Sequence, residues 1–128
     1  MNDTLIKGDV IRMIFEFRGY RVMIDSDLSA MYGVTTKALK QQVRRNQNRF
    51  PPDFLFELND EERHQPVTNC DRLKNLKHSS VNPLAFTEHG VAMLSSVLRS
   101  EKAILVNIEI MRAFSKYREK SGRIQDKK

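Results

Sequence analysis

The chain has 128 residues, enough for one domain with a real core and too few for two of ordinary size. Its 40% hydrophobic and 30% charged residues match a globular protein, no apolar run reaches the length of a membrane span, and the first ten residues lack the apolar core of a secretion signal. The net charge of +6 favours an anionic partner, and the single cysteine excludes an internal disulfide and fits a reducing cytosol, so a cytoplasmic location is expected.

Residues 1–9 are polar and read as a loose tail. Val10 to Ile24 reads as a β-hairpin. Ile11, Met13 and Phe15 fall on one side of its first strand, Val10, Arg12, Ile14 and Glu16 on the other, and the turn falls at Arg18-Gly19. Arg18 and Arg21 flank that turn. Contact with a phosphate backbone and a merely solvated hairpin tip are equally open for them.

The stretch DSDLSAMYGVTTKALKQQVRRNQNR, Asp25 to Arg49, carries the strongest local signal. Asp25 or Ser26 can cap a short helix that buries Leu28, Met31 and Tyr32 on one face. Gly33 ends it, because the position after a helix often needs positive φ. Thr35 or Thr36 caps a second helix running to Arg49. This is the sequence shape of a helix-turn-helix, whose second helix enters the DNA major groove.

At about 100° per residue, Leu39 and Val43 point inward while Lys37, Lys40, Gln41, Arg44, Arg45 and Asn48 cover the opposite arc, with Arg49 closing the basic block. Nothing between Thr35 and Arg49 is acidic, so these like charges lack the i, i+4 partners of an ordinary solvated helix. Lys, Arg, Gln and Asn are the side chains that bond guanine and adenine edges. The expected roles are phosphate contacts for Lys40, Arg45 and Arg49 and base contacts for Lys37, Gln41 and Arg44. In a helix-turn-helix the position three after Leu39 is usually apolar; here it is Gln42, and Val43 takes that role one residue late.

FPPDFLFEL follows. Pro51 and Pro52 stop the helix, and Phe54, Phe56 and Leu58 alternate as a short strand that can add to the hairpin sheet. Asp53, Glu57, Asp60, Glu61 and Glu62 form an acidic block, and Asn59 or Asp60 can cap a short helix over NDEERHQ. The polar segment from Arg63 to Asn82 has weak periodicity; Arg72, Lys74 and Lys77 within it are further candidates for a phosphate backbone. Leu84-Ala85-Phe86 reads as a buried strand, and Thr87 caps a helix with core stripe Val91, Leu94, Val97 and Leu98. Ser100 caps the longest helix, whose apolar surface is wider than one core-facing stripe needs. That helix is either central to the domain or partly a homodimer interface. Residues 119–128 read as a second tail, around a domain spanning 10–118.

No catalytic residue is indicated. His64, Cys70 and His78 are loosely spaced and Asp71 beside Cys70 disfavours a thiolate, so neither zinc nor a Cys-His nucleophile is expected. No phosphate-binding glycine loop is present. The expectation is a non-enzyme with no cofactor and no metal.

Three runs carry a wider likeness: RGYRVMIDSDLSAMYGVTTKALKQQVRRNQNRFPPDFLFEL, PLAFTEHGVAMLSSVL and VNIEIMRAF. Together they resemble the phage open-reading-frame-six N-terminal domain family, allied to KilA-N and Bro-N domains, over about Ile11 to Arg118. The resemblance implies a prokaryotic or prophage-derived DNA-binding protein with regulatory or antirepressor roles, often with a further helical segment after this domain. It supplies no catalytic residue and supports the DNA-binding assignment of Lys37, Lys40, Gln41, Arg44 and Arg45.

The expected architecture is α+β: a small antiparallel sheet packed with a helix-turn-helix and two C-terminal helices. The expected partner is double-stranded DNA. The alternative is a protein-interaction module that binds another repressor through its apolar C-terminal helix.

Overall fold

The sheet starts from a two-residue turn. Arg18 and Gly19 have φ of 57° and 81°, the left-handed region that the tightest hairpins need at both central positions. In the computed structural model, which describes residues 7–64 and 82–125, this turn joins β1 (Phe15–Phe17) to β2 (Tyr20–Ile24), with Phe17 opposite Tyr20 and Phe15 opposite Val22. The turn stands where the sequence predicts it, but the first strand is shorter. Lys7–Arg12 form a helix, α1, so Val10, Ile11 and Arg12 are helical rather than extended. VIRMI satisfies either period, and complete burial of Val10 together with Ile14, an i, i+4 pair, accompanies the helical choice.

The sheet has four strands in the order β1-β2-β4-β3 and is antiparallel throughout. Strand β3 (Leu55–Glu57) comes from FLFEL and β4 (Leu84–Thr87) from LAFT. FLFEL joins the sheet, as expected, but through β4: Leu55 pairs with Phe86, which also lies opposite Met23 of β2. The two-residue period of β2 divides the core. Met23 faces one cluster with Phe86, Leu28, Leu39, Val91, Leu94, Ile110 and Phe114. Val22 and Ile24 face a second cluster with Phe15, Phe17, Phe56, Leu58 and Ala85.

The helices among the described residues are α1, α2 (Asp25–Tyr32), α3 (Thr36–Arg45), α4 (Asp60–Arg63), α5 (Glu88–Leu98) and α6 (Glu101–Gln125). The chain is thus α+β, as its pattern predicts. Asn59 caps α4 through a reciprocal capping box with Glu62. Ser100 caps α6, its Oγ accepting from the Ala103 N–H at 2.9 Å. Helix α6 buries Ala103, Val106, Ile110, Ala113 and Phe114, so it is central to the fold. The expectations for Cys70, Arg72, Lys74, Lys77 and His78 concern residues outside those described.

One joint locks the sheet to α5. Thr87 Oγ1 accepts from the Gly90 N–H at 3.3 Å and donates to the Asp53 carbonyl at 2.9 Å, while the Thr87 N–H donates to the Phe54 carbonyl at 3.0 Å. The first turn of α5 therefore sits directly on the PDF segment, and the ring of His89 stacks on Phe54 at 5.4 Å. A Cβ on Gly90 would come within 2.0 Å of the Phe54 carbonyl oxygen.

Gly90→Ala is expected to lose more than about 2 kcal/mol in urea unfolding, because the clash is with backbone. Gly19→Ala meets nothing within 4 Å and is expected to lose only about 1 kcal/mol, the cost of a left-handed alanine. The reverse order would refute the close approach.

Candidate nucleic-acid interface

The helix-turn-helix is built on a buried carboxylate. Ile24 occupies the cap position of α2 with no side-chain bond, so the expectation that Asp25 or Ser26 caps this helix is corrected. Asp25 is the first helical residue and is only 3% exposed. Its Oδ2 accepts the Leu84 N–H of β4 at 3.1 Å and lies 3.5 Å from Lys40 Nζ of α3. Leu28, Met31 and Tyr32 are buried as predicted. Gly33 closes the helix at φ 76°, its N–H and that of Val34 bonding back to Ala30 and Ser29. Thr35 is the cap of α3, accepting from Ala38 at 3.0 Å. Ser29 Oγ and Thr36 Oγ1 share a hydrogen bond of 2.9 Å across the turn.

The unit also rests on α6. The Tyr32 hydroxyl donates to Asn107 Oδ1 at 3.4 Å, and burial pushes the Tyr32 phenol well above its ordinary range. Leu39 and Val43 point into the core, so Val43 does take the apolar role that Gln42 leaves open. The opposite face of α3 presents Lys37, Gln41, Arg44 and Arg45 to solvent. None of these cations forms an ion pair with a carboxylate of the described residues.

The structure brings four of the nine predicted residues together on one helix face and engages three others within the fold. Lys40 does not join the solvent face: it is partly buried, its side chain 25% exposed, against Asp25. There it holds α3 onto α2. Arg18 is engaged elsewhere. Its Nε and Nη2 donate to Glu62 at 2.8 and 2.9 Å, Nη2 also reaches the Glu57 carbonyl at 3.0 Å, and the guanidinium lies 4.3 Å from the Phe56 ring centre. Arg21 lies 5.8 Å from the centre of the Tyr117 ring and is half-buried, with its Nε facing no acceptor among the described residues. The Tyr117 hydroxyl donates to Glu16 at 2.7 Å; burial first, then Glu16, pushes this phenol up to about 12. Both hairpin arginines thus have partners within the fold.

Asn48 and Arg49 are exposed but lie beyond the helix. The predicted helix to Arg49 ends at Arg45, and Gln47–Arg49 form a 3-10 turn. Asn46 makes the break: its Nδ2 donates to the Gln42 carbonyl at 2.8 Å, and Phe50 is then drawn into the core, 8% exposed. The side chain that sequence reasoning missed is Asp25 as an organiser. Its position beside an apolar run reads as a cap, and its partner Leu84 is 59 residues away.

The model of the ORF6N domain matches residues 12–97. The chain belongs to the ORF6N-domain family. This family is phage-associated. The match takes in the hairpin, the helix-turn-helix, FLFEL and nearly all of α5, and stops before α6, so the VNIEIMRAF run lies outside it. No curated protein and no solved structure matches the chain. Among the described residues, no group of three or more His, Cys, Asp or Glu could hold a metal, and no helix is long and apolar enough to cross a membrane.

Two outcomes test these assignments. Asp25→Ala is expected to cost about 1–3 kcal/mol in urea unfolding, since it strands the Leu84 N–H; Lys40→Ala, which leaves the buried Asp25 carboxylate without its cation, is expected to cost a similar amount. The Arg18 bonds hold the Glu62 carboxyl below its ordinary value of 4.5. A depressed carboxyl contributes stability that is present above that value and is lost as pH falls through the lower folded value. Glu62→Gln is therefore expected to flatten the acid limb of a stability–pH curve, by a small amount because the Arg18 guanidinium is largely in water.

Proposed function

We propose that this ORF6N domain is a non-enzymatic double-stranded DNA reader that acts as a phage-type regulator in the cytoplasm, with α3 laid in the major groove. One observation carries the reading: Lys37, Gln41, Arg44 and Arg45 share the outer face of a helix whose inner face is fixed by Leu39, Val43 and the Lys40–Asp25 pair. A rigid, wet, uniformly cationic helix face with a glutamine among the cations has the chemistry for both phosphates and base edges. In this reading Arg45 and Arg49 contact phosphates, Lys37, Gln41 and Arg44 face bases, and Asn48 lies at the edge. Lys40 positions the helix. No cofactor, metal or catalytic group is required.

A second reading has its own observation. Ile104, Leu105 and Ile108 of α6 are 53%, 61% and 42% exposed, which suits a module that docks another repressor in an antirepressor role. The charge reversal Lys37→Glu with Arg44→Glu separates the two. It abolishes DNA retention under the first reading and leaves protein capture intact under the second.

The affinity for duplex DNA is expected to fall with salt at a slope of about 0.9 per neutralised phosphate. Arg45→Ala is expected to lower that slope by about one unit for all sequences, and Gln41→Ala to relax preference at one base position. Arg18→Ala is expected to leave the slope unchanged. Gel shifts or fluorescence anisotropy at several salt concentrations measure all three, and a flat salt response overturns the reading.

A further inference from the structure

Helix α6 has two opposed apolar faces. At about 100° per residue, the buried residues Ala103, Val106, Ile110, Ala113 and Phe114 occupy one arc. Ile104, Leu105 and Ile108 occupy the opposite arc, exposed to solvent. The same outer arc is closed by Glu101 one turn before Leu105 and by Arg112 one turn after Ile108. Arg112 is held in place by Glu109 at 3.0 Å and is itself 60% exposed. The stripe thus reads acid, aliphatic, aliphatic, base, and its midpoint falls between Val106 and Asn107.

That order is self-complementary in only one direction. We propose that α6 pairs with α6 of a second copy, antiparallel about a two-fold axis at this midpoint. Leu105 then meets Ile108 of the partner subunit, and Glu101 meets Arg112 of the partner subunit. The two-fold repeats both contacts, as an isologous interface requires. A parallel pair sets Glu101 against its own copy and Arg112 against its own copy, which like-charge repulsion opposes. The stripe lies beyond residues 12–97, so it is a feature of this chain outside the family match. The proposal does not depend on DNA reading by α3, and its test is run without DNA.

The test is sedimentation equilibrium of the full chain from about 1 to about 500 µM, a range over which a weak dimer forms by mass action. The wild type is expected to show a monomer–dimer equilibrium, and Leu105→Asp to weaken it at least about tenfold. Circular dichroism verifies that the fold survives, as expected at a solvent-facing site. Glu101→Arg alone and Arg112→Glu alone are each expected to weaken the dimer several-fold, since each creates two like-charge contacts. An equimolar mixture of these two variants places arginine opposite glutamate at both ends and is expected to restore dimers. A monomer across the whole range overturns the proposal and leaves the stripe to a partner of another sequence. A dimer unaffected by Leu105→Asp, or variants not rescued by mixing, overturns the antiparallel register.

Discussion

The carboxylate of Asp25 is the constraint on which the candidate interface depends. It is buried, and a buried carboxylate needs partners strong enough to offset its lost hydration. It finds them on two other elements, the Leu84 N–H of β4 and the Lys40 ammonium of α3. Those partners fix the start of α2, the end of the sheet and the second turn of α3 relative to one another. A helix-turn-helix held only by Leu28, Leu39 and Val43 would be positioned by packing, which tolerates sliding. A polar tie with defined donors does not.

A second joint explains why the RFPPDFLFEL and FTEHGVAML runs occur together. Thr87 caps α5 with its oxygen and spends its hydroxyl hydrogen on the Asp53 carbonyl, so one side chain serves a helix and a loop. The backbone at Phe54 then runs so close to α5 that only glycine fits at position 90. The identity of a residue in one run is thus set by the path of the other. This joint seats β3 beside β4, and β4 in turn presents the Leu84 N–H to Asp25.

Local features were readable from sequence because their causes are local. The Arg18-Gly19 turn, the Gly33 break, the Thr35, Asn59, Thr87 and Ser100 caps and the Leu39–Val43 core contact each follow from a few neighbouring residues. The errors came from competition or distance. Lys7–Arg12 became helix because a short apolar run fits two periods and burial decides between them. Asn46 ended α3 early by bonding back to Gln42, a choice its side chain permits but does not dictate. Arg18 met Glu62 44 residues further on, and no spacing rule reports a pairing of that separation.

The fate of the cations follows one physical rule. The following cations each met an acidic or aromatic partner on another element and became part of the scaffold: Arg18 on Glu62 and Phe56, Arg21 on Tyr117, Lys40 on Asp25, Arg118 on Glu88. Each of these sits where a carboxylate or a ring is brought close by tertiary packing. The outer face of α3 is different: Glu62 of α4 is drawn to Arg18 at the hairpin tip, while Glu57 of β3 lines a cavity with Lys40 and Arg44 at the edge of α3 without forming an ion pair with them. Lys37, Arg44 and Arg45 stand on that face with no ion pair to a carboxylate among the described residues. Lys40 turns inward to Asp25 and ties the helix to α2 and β4. The same tie anchors the inner side of the helix whose outer face the proposed reading uses, and a proposed site on a helix tied to two other elements is held more closely than one on a loop.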